Sequence, residues 1–115
     1  MQFAPKSQVR KFVASDECVV WEYQSVGRKA SNAVAEINGR YPQSGWAMND
    51  VSDELVYVIA GTGKLTGPNQ SIDLAPGDTA LVEAGDRFAW EGKGLTVFIP
   101  CFPAWTPEQH HFLPE

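Results

Sequence analysis

The chain has 115 residues, of which 43% are hydrophobic and 20% charged, and its formal net charge is −5. This length suits one domain with one core and is too short for two ordinary domains. The nine Lys and Arg residues are scattered, which argues against a nucleic-acid or membrane partner, and no apolar run approaches the roughly 20 residues of a membrane span. Without a recognisable signal peptide, we expect a soluble cytoplasmic protein whose two cysteines are reduced.

Five short runs rich in β-branched and aromatic residues predict strands. In chain order they cover residues 19–23, 33–37, 55–59, 79–82 and 95–99. Turn-forming sequences such as Asn38-Gly39 and Pro76-Gly77-Asp78 separate them. Regularly spaced short strands are typical of a sandwich or a barrel, and no long segment has helical spacing. The predicted fold class is therefore all-β.

The predicted strand at 55–59 is apolar on both faces. Because side chains alternate along a strand, Glu54 and Val56 share one face, while Leu55 and Tyr57 share the other. A strand of this kind is covered either by a second layer of its own chain or by another subunit. In a domain this small we expect the second arrangement, a homodimer.

Two motifs give the sequence a family resemblance. Six residues separate Glu54 from Gly61, Pro76-Gly77-Asp78 precedes a predicted strand, and Gly85 follows that strand. These features resemble the two motifs of the cupin superfamily. The resemblance implies a single domain, residues 1–115, with the cupin-type double-stranded β-helix, a jelly-roll barrel. It further implies an N-terminal arm at 1–16, a barrel at 17–101, and a C-terminal tail at 102–115 that packs on the barrel or on a partner.

The resemblance also shows which metal ligands are missing. Metal-binding cupins carry two histidines ahead of the motif glutamate and a third in the second motif. The corresponding positions here hold Met48 with Asp50, or Ala47 with Asn49, and then Phe88. Only Glu54 remains, whereas a transition ion needs three or four N, O or S donors. We therefore predict no metal and no cofactor, unless Asp50, Glu54 and a tail histidine rebuild a site.

The family register directs Phe88 into the barrel, and Trp90 points the same way. With Trp46 they could line an aromatic cavity in which Glu54 is the hydrogen-bonding group. The predicted ligand-binding residues are Tyr41, Trp46, Asn49, Glu54, Phe88 and Trp90. A barrel filled by its own side chains is the alternative, because small barrels are usually packed.

Three functions remain open from the sequence. The first is a metal-free barrel whose interior binds a small organic ligand that is sugar-like, carboxylated or aromatic. The second is a metal-independent isomerase, epimerase or lyase in which Glu54 moves protons with Tyr41 or His110. The third is a structural dimeric module with a packed barrel. Whether the protein is an enzyme stays undecided, because cupin barrels host many unrelated functions.

Overall fold

The computed structural model describes residues 1–23 and 27–115. Within these residues the strands are β1 (Arg10–Ser15), β2 (Cys18–Tyr23), β3 (Ser31–Tyr41), β4 (Trp46–Asn49), β5 (Asp53–Gly67), β6 (Gln70–Leu74), β7 (Thr79–Val82), β8 (Ala89–Phe102) and β9 (His110–Leu113), with 3-10 helices at Lys6–Gln8 and Pro107–Gln109. All five predicted strands lie inside these elements, and the all-β prediction is confirmed. Residues 24–26 of the predicted 17–101 barrel lie outside the described residues.

The main sheet is antiparallel, in the order β1-β2-β3-β8-β5-β6, and β7 also pairs with β5. The strands β4 and β9 form a separate two-stranded ribbon. Ala47 joins this ribbon to the segment before β8, because its N–H donates to the Phe88 carbonyl at 2.8 Å and its carbonyl accepts from the Phe88 N–H at 2.9 Å. The curved sheet and the ribbon together form the predicted jelly-roll barrel.

The two longest strands, β5 and β8, bend around the interior. Register shifts between Val58 and Ala60 and between Ala60 and Thr62 mark irregularities where β5 changes direction. Gly61 has a φ of 78°, and a Cβ there would lie 2.0 Å from the Gly94 carbonyl oxygen. Only glycine permits this close approach of two backbones. The glycine of the first motif is therefore needed for the bend.

The core contains side chains from β3, β5 and β8. Ile37, Val56, Val58, Leu95 and Val97 have no exposed surface, and burying each such side chain contributes roughly 1.5–3 kcal/mol. Glu54 precedes Val56 by two residues and so faces the same interior. The hydrophobic packing of β5 thus fixes the direction of its one inward carboxylate.

The predicted arm and tail both join the barrel. Part of the 1–16 arm forms β1, which is an edge strand of the main sheet. In the predicted tail, Phe102 still belongs to β8, and the next strand begins at His110, where β9 pairs with β4. Gln109 anchors the tail through two hydrogen bonds to Ser52. Its Oε1 accepts from the Ser52 N–H at 2.7 Å, and its Nε2–H donates to Ser52 Oγ at 2.9 Å. Both side chains are buried, so the tail is held against the loop between β4 and β5.

Cys18 and Cys101 are buried free thiols, as predicted. Over the residues that the structure describes, the helices are too short to cross a membrane.

Candidate functional site

The barrel interior contains a cavity of about 340 Å³. Ligand sites in proteins have volumes of roughly 300–1,000 Å³, so this space is large enough for a small molecule. Its walls are mainly apolar and include Phe12, Val20, Ile37, Phe88, Trp90 and Ile99. The interior is therefore not filled by its own side chains.

Glu54 is the acidic residue of the cavity wall on β5. Asn49 Nδ2–H donates to Glu54 Oε1 at 2.6 Å. Burial raises the pKa of Glu54 to about 7, although the hydrogen bond from Asn49 opposes the change. Part of its side chain stays accessible and lines the cavity. Near neutral pH this carboxyl group can therefore either accept or release a proton.

The side-chain amide of Asn49 is the centre of a hydrogen-bond network. Asn49 is 2% exposed, and its Oδ1 accepts from Trp105 Nε1–H at 3.0 Å. An indole N–H can only donate, so the oxygen of the amide must face Trp105. The amide nitrogen then faces Glu54. Trp105 thus determines which end of Asn49 contacts the carboxyl group.

The same oxygen fixes the tautomer of His110. His110 Nδ1 lies 2.8 Å from Asn49 Oδ1, which can only accept, so Nδ1 carries the proton. His110 Nε2 is then an acceptor for the Tyr41 hydroxyl at 3.2 Å. Burial lowers the pKa of His110, with the nearby His111 adding to the effect, and burial raises the pKa of Tyr41. Both groups are therefore neutral near pH 7.

These bonds form one connected chain. Tyr41 donates to His110, His110 donates to Asn49, and Asn49 donates to Glu54. We call Tyr41, Asn49, Glu54, Trp105 and His110 the Asn49 cluster. Every member except Asn49 also lines the cavity. The cluster therefore contributes the side chains of a carboxylic acid and a tyrosine to the wall of the same cavity.

The structure brings together most of the predicted site residues. Tyr41, Glu54, Phe88 and Trp90 line the cavity, and Asn49 orients Glu54 from behind. Trp46 is placed elsewhere. Side chains alternate along β4, so Ala47 and Asn49 are buried in the interior while Trp46 faces the other way. Trp46 is half-buried, and the Arg40 guanidinium lies over it, 5.6 Å from the centroid of the Trp46 ring.

Sequence reasoning did not include Glu22 and Trp105 among the ligand-binding residues. Glu22 lies on β2, is 9% exposed and lines the cavity. Along β2 it is in phase with Cys18 and Val20, which also line the cavity. Trp105 gave no local signal of its bond to Asn49, since the two residues are 56 positions apart in the sequence.

The donor set does not fit the metal that the cupin motifs imply. Residues 1–23 and 27–115 contain no group of three or more His, Cys, Asp or Glu side chains that could hold a metal ion. Glu54 Oε1 and both ring nitrogens of His110 are already hydrogen-bonded. Transition ions need three or four free donors in a fixed geometry, so we derive no metal-dependent step.

In sequence, residues 40–95 match the family model of the EutQ-like cupin domain. The sequence matches no curated protein. One similar solved structure is that of a Streptomyces Pac13 variant with uridine, which is 15% identical in sequence and superposes with a TM-score of 0.83. The match covers 96% of this chain and 89% of the Pac13 chain. Another Pac13 structure is described as that of a nucleoside dehydratase.

Two further structures share the fold. KdgF from Halomonas sp. is 11% identical with a TM-score of 0.68, over 88% of this chain and 94% of its own. A mutant of oxalate decarboxylase OxdC from Bacillus subtilis is 13% identical with a TM-score of 0.81, over 98% of this chain and 32% of its own. The barrel and these neighbours show that the chain has the cupin jelly-roll fold, and the EutQ-like cupin domain model matches residues 40–95 within it.

Proposed function

We propose that the barrel interior binds a small, uncharged organic compound that contains a ring. The observation that carries this proposal is the cavity of about 340 Å³ with apolar walls and one oriented carboxyl group. Phe88 and Trp90 offer aromatic surface against which a flat ring or a sugar face packs. Glu54, held by Asn49, accepts a hydrogen bond from a hydroxyl or N–H group of the compound.

The charges of the cavity support an uncharged ligand. Its titratable lining groups include Glu22, Glu54 and the neutral His110, and none of the described lining residues is Lys or Arg. A ligand carboxylate would lose its hydration without gaining a cation. Of the three ligand classes expected from the sequence, this favours the sugar-like and aromatic ones over the carboxylated one. Uridine, present with the Pac13 variant, combines an uncharged sugar and a ring and is the first probe.

Calorimetric titration tests this proposal. We expect uridine or a neutral pyranose such as glucose to bind, and glucuronate to bind at least tenfold more weakly than glucose at pH 8. Phe88→Val removes aromatic surface and should weaken binding about twofold to tenfold, which corresponds to roughly 0.5–1.5 kcal/mol. Trp46→Leu is the matched control, because Trp46 lies off the cavity, and it should leave the affinity unchanged. Tighter binding of glucuronate would contradict the proposal.

A proton-transfer reaction, as in a metal-independent isomerase, epimerase or lyase, is the second candidate function. The favouring observation is that a carboxyl group with a pKa of about 7 and the Tyr41 hydroxyl line one cavity. A group that titrates near the working pH is suited to general acid–base catalysis. The same probe mixtures in heavy water test it: NMR should show exchange or conversion at carbon with the wild type but not with Glu54→Gln.

We also propose that two copies of the chain pair through the outer face of β5. Leu55, Tyr57 and Ile59 are 42%, 49% and 48% exposed there, and Leu81 of β7, paired with Leu55, is 54% exposed. Contiguous apolar surface of this kind is typical of an interface. These four side chains carry no charge, so pairing through them places no like charges in direct contact.

Light scattering after size exclusion measures the pairing. The wild type should have twice the 12.6 kDa mass of one chain. Leu55→Lys places two ammonium groups near each other across the interface and should give the single-chain mass. Val51→Lys changes a side chain that is also exposed, at 57%, but lies in the loop before β5, and should remain paired. A Leu55→Lys protein of unchanged mass would show that the copies pair elsewhere or not at all.

A further inference from the structure

We infer that Glu22 forms a second polar subsite of the cavity, which accepts a hydrogen bond from the end of the ligand that lies away from Glu54. This inference rests on the proposed binding function and adds to it the chemical class of the ligand. Glu22 is 9% exposed and lines the cavity. Among the described residues its side chain has no hydrogen-bond partner, in contrast to Glu54.

The described residues around Glu22 do not supply a hydrogen-bond donor to its carboxyl group. On the sheet it lies between Arg10 of β1 and Ala33 of β3, and Ala33 in turn pairs with Ile99. Ala33 and Ile99 line the cavity but offer no side-chain donor. Arg10 is exposed and forms no ion pair with Glu22 within the described part of the chain, although its charge attracts the Glu22 carboxylate from a greater distance. Burying a carboxyl group without a hydrogen bond is costly, so a donor from within the cavity would stabilise it.

The topology separates the two carboxyl groups across the cavity. Glu54 pairs with Cys101, and Cys101 with Ser31, so that this row crosses β5, β8 and β3. Glu22 lies one strand farther, on β2. Glu22 is opposite Ala33, two residues along β3 from Ser31, so three strand spacings of about 4.8 Å and an offset of about 7 Å along the strands give about 16 Å over the curved sheet. The direct distance is shorter because the sheet curls. The apolar wall between the groups faces the middle of a bound compound.

This arrangement selects a ligand with hydrogen-bond donors at both ends and an apolar ring surface between them. A nucleoside has this form, with sugar hydroxyls at one end and a base N–H at the other. A simple phenol has a donor at one end only and would leave one carboxyl group without a partner. The structure therefore points to a two-ended, uncharged donor compound as the ligand class.

Titration of uridine and of analogues that each lack one donor tests the subsite. The analogues are 2′-, 3′- and 5′-deoxyuridine and 3-methyluridine. Glu22→Val should weaken uridine binding about tenfold, the effect of one hydrogen bond to a charged or strongly polar group. The wild type should bind one of these analogues about tenfold more weakly than it binds uridine. The Glu22→Val protein should bind the same analogue and uridine with equal affinity. This loss of difference identifies the donor that Glu22 receives.

Two further variants complete the design. Glu22→Gln keeps an acceptor oxygen and should retain most of the affinity, including the discrimination among analogues. Glu36→Gln removes an exposed carboxylate on β3 and should change nothing. If uridine and neutral sugars fail to bind the wild type, the proposed function fails, and the inference with it. If uridine binds and Glu54→Leu weakens it while both Glu22 variants bind normally, the inference alone is wrong.

Discussion

Replacing Glu54 by glutamine should stabilise the protein above pH 7 by up to about 3 kcal/mol and leave its stability near pH 4 almost unchanged. Burial raises the pKa of Glu54 from 4.5 to about 7, and each unit of difference is worth about 1.4 kcal/mol. Between these two values the folded state keeps a proton that the unfolded state has released. The wild type therefore loses stability as the pH rises through this window. Glutamine has no charge to desolvate, and its oxygen still accepts from Asn49.

Urea unfolding of both proteins at several values between about pH 4 and pH 8 measures this effect. The difference in free energy of unfolding should grow from near zero to its full value by roughly pH 8. Glu36→Gln is the control, since an exposed carboxylate should give no comparable pH dependence. A Glu54→Gln protein that is less stable than the wild type at pH 8 would show that the carboxylate is not desolvated. The expected gain in stability would accompany a loss of function, a common trade at binding sites.

Asn49→Leu should destabilise the protein by about 3–6 kcal/mol. The substitution keeps the approximate size of the side chain but removes the partner of the Trp105 indole N–H, of His110 Nδ1–H and of Glu54. A buried polar group left without a partner costs about 1–3 kcal/mol. Because small proteins have a total stability of about 5–15 kcal/mol, this loss is a large part of the whole.

Chemical denaturation at about pH 5 and pH 8 checks the size of this loss. Asn49→Leu should lower the free energy of unfolding by more at pH 8 than at pH 5, because Glu54 is ionised at pH 8 and an ionised carboxylate loses more when its hydrogen bond is removed. Asn69→Leu is the matched control, since Asn69 lies exposed in the turn between β5 and β6 and should cost less than about 1 kcal/mol. A loss below 1 kcal/mol for Asn49→Leu would mean that the amide does not connect the Asn49 cluster.

The strands and the inward position of Glu54 were predictable because their signals are local. Short β-branched runs, turns and the spacing between Glu54 and Gly61 need no distant partner to be recognised. The inward direction of Phe88 and Trp90 was predictable for a related reason, since the motif register fixes it. Each of these predictions depends on residues within about one strand and turn of each other.

The position of Trp46 was not predictable in the same way. Its strand, β4, pairs with β9, in which Leu113 lies opposite Trp46. A shift of one residue in that register would exchange the two faces of the strand, and nothing near Trp46 specifies the register. Glu22 was hidden for another reason. Apolar residues occupy both faces of β2, so the sequence alone did not show which face the barrel encloses.

The Asn49 cluster also has a consequence for the order of folding. Its bonds join residues 56, 61 and 69 positions apart, so each one closes a long loop of chain. Contacts of such range form slowly, because the loop entropy is lost before the contact is gained. The network should therefore assemble after the barrel has closed. The binding site is then a late product of folding, and its recovery during refolding would report that the last long-range contacts of the barrel have formed.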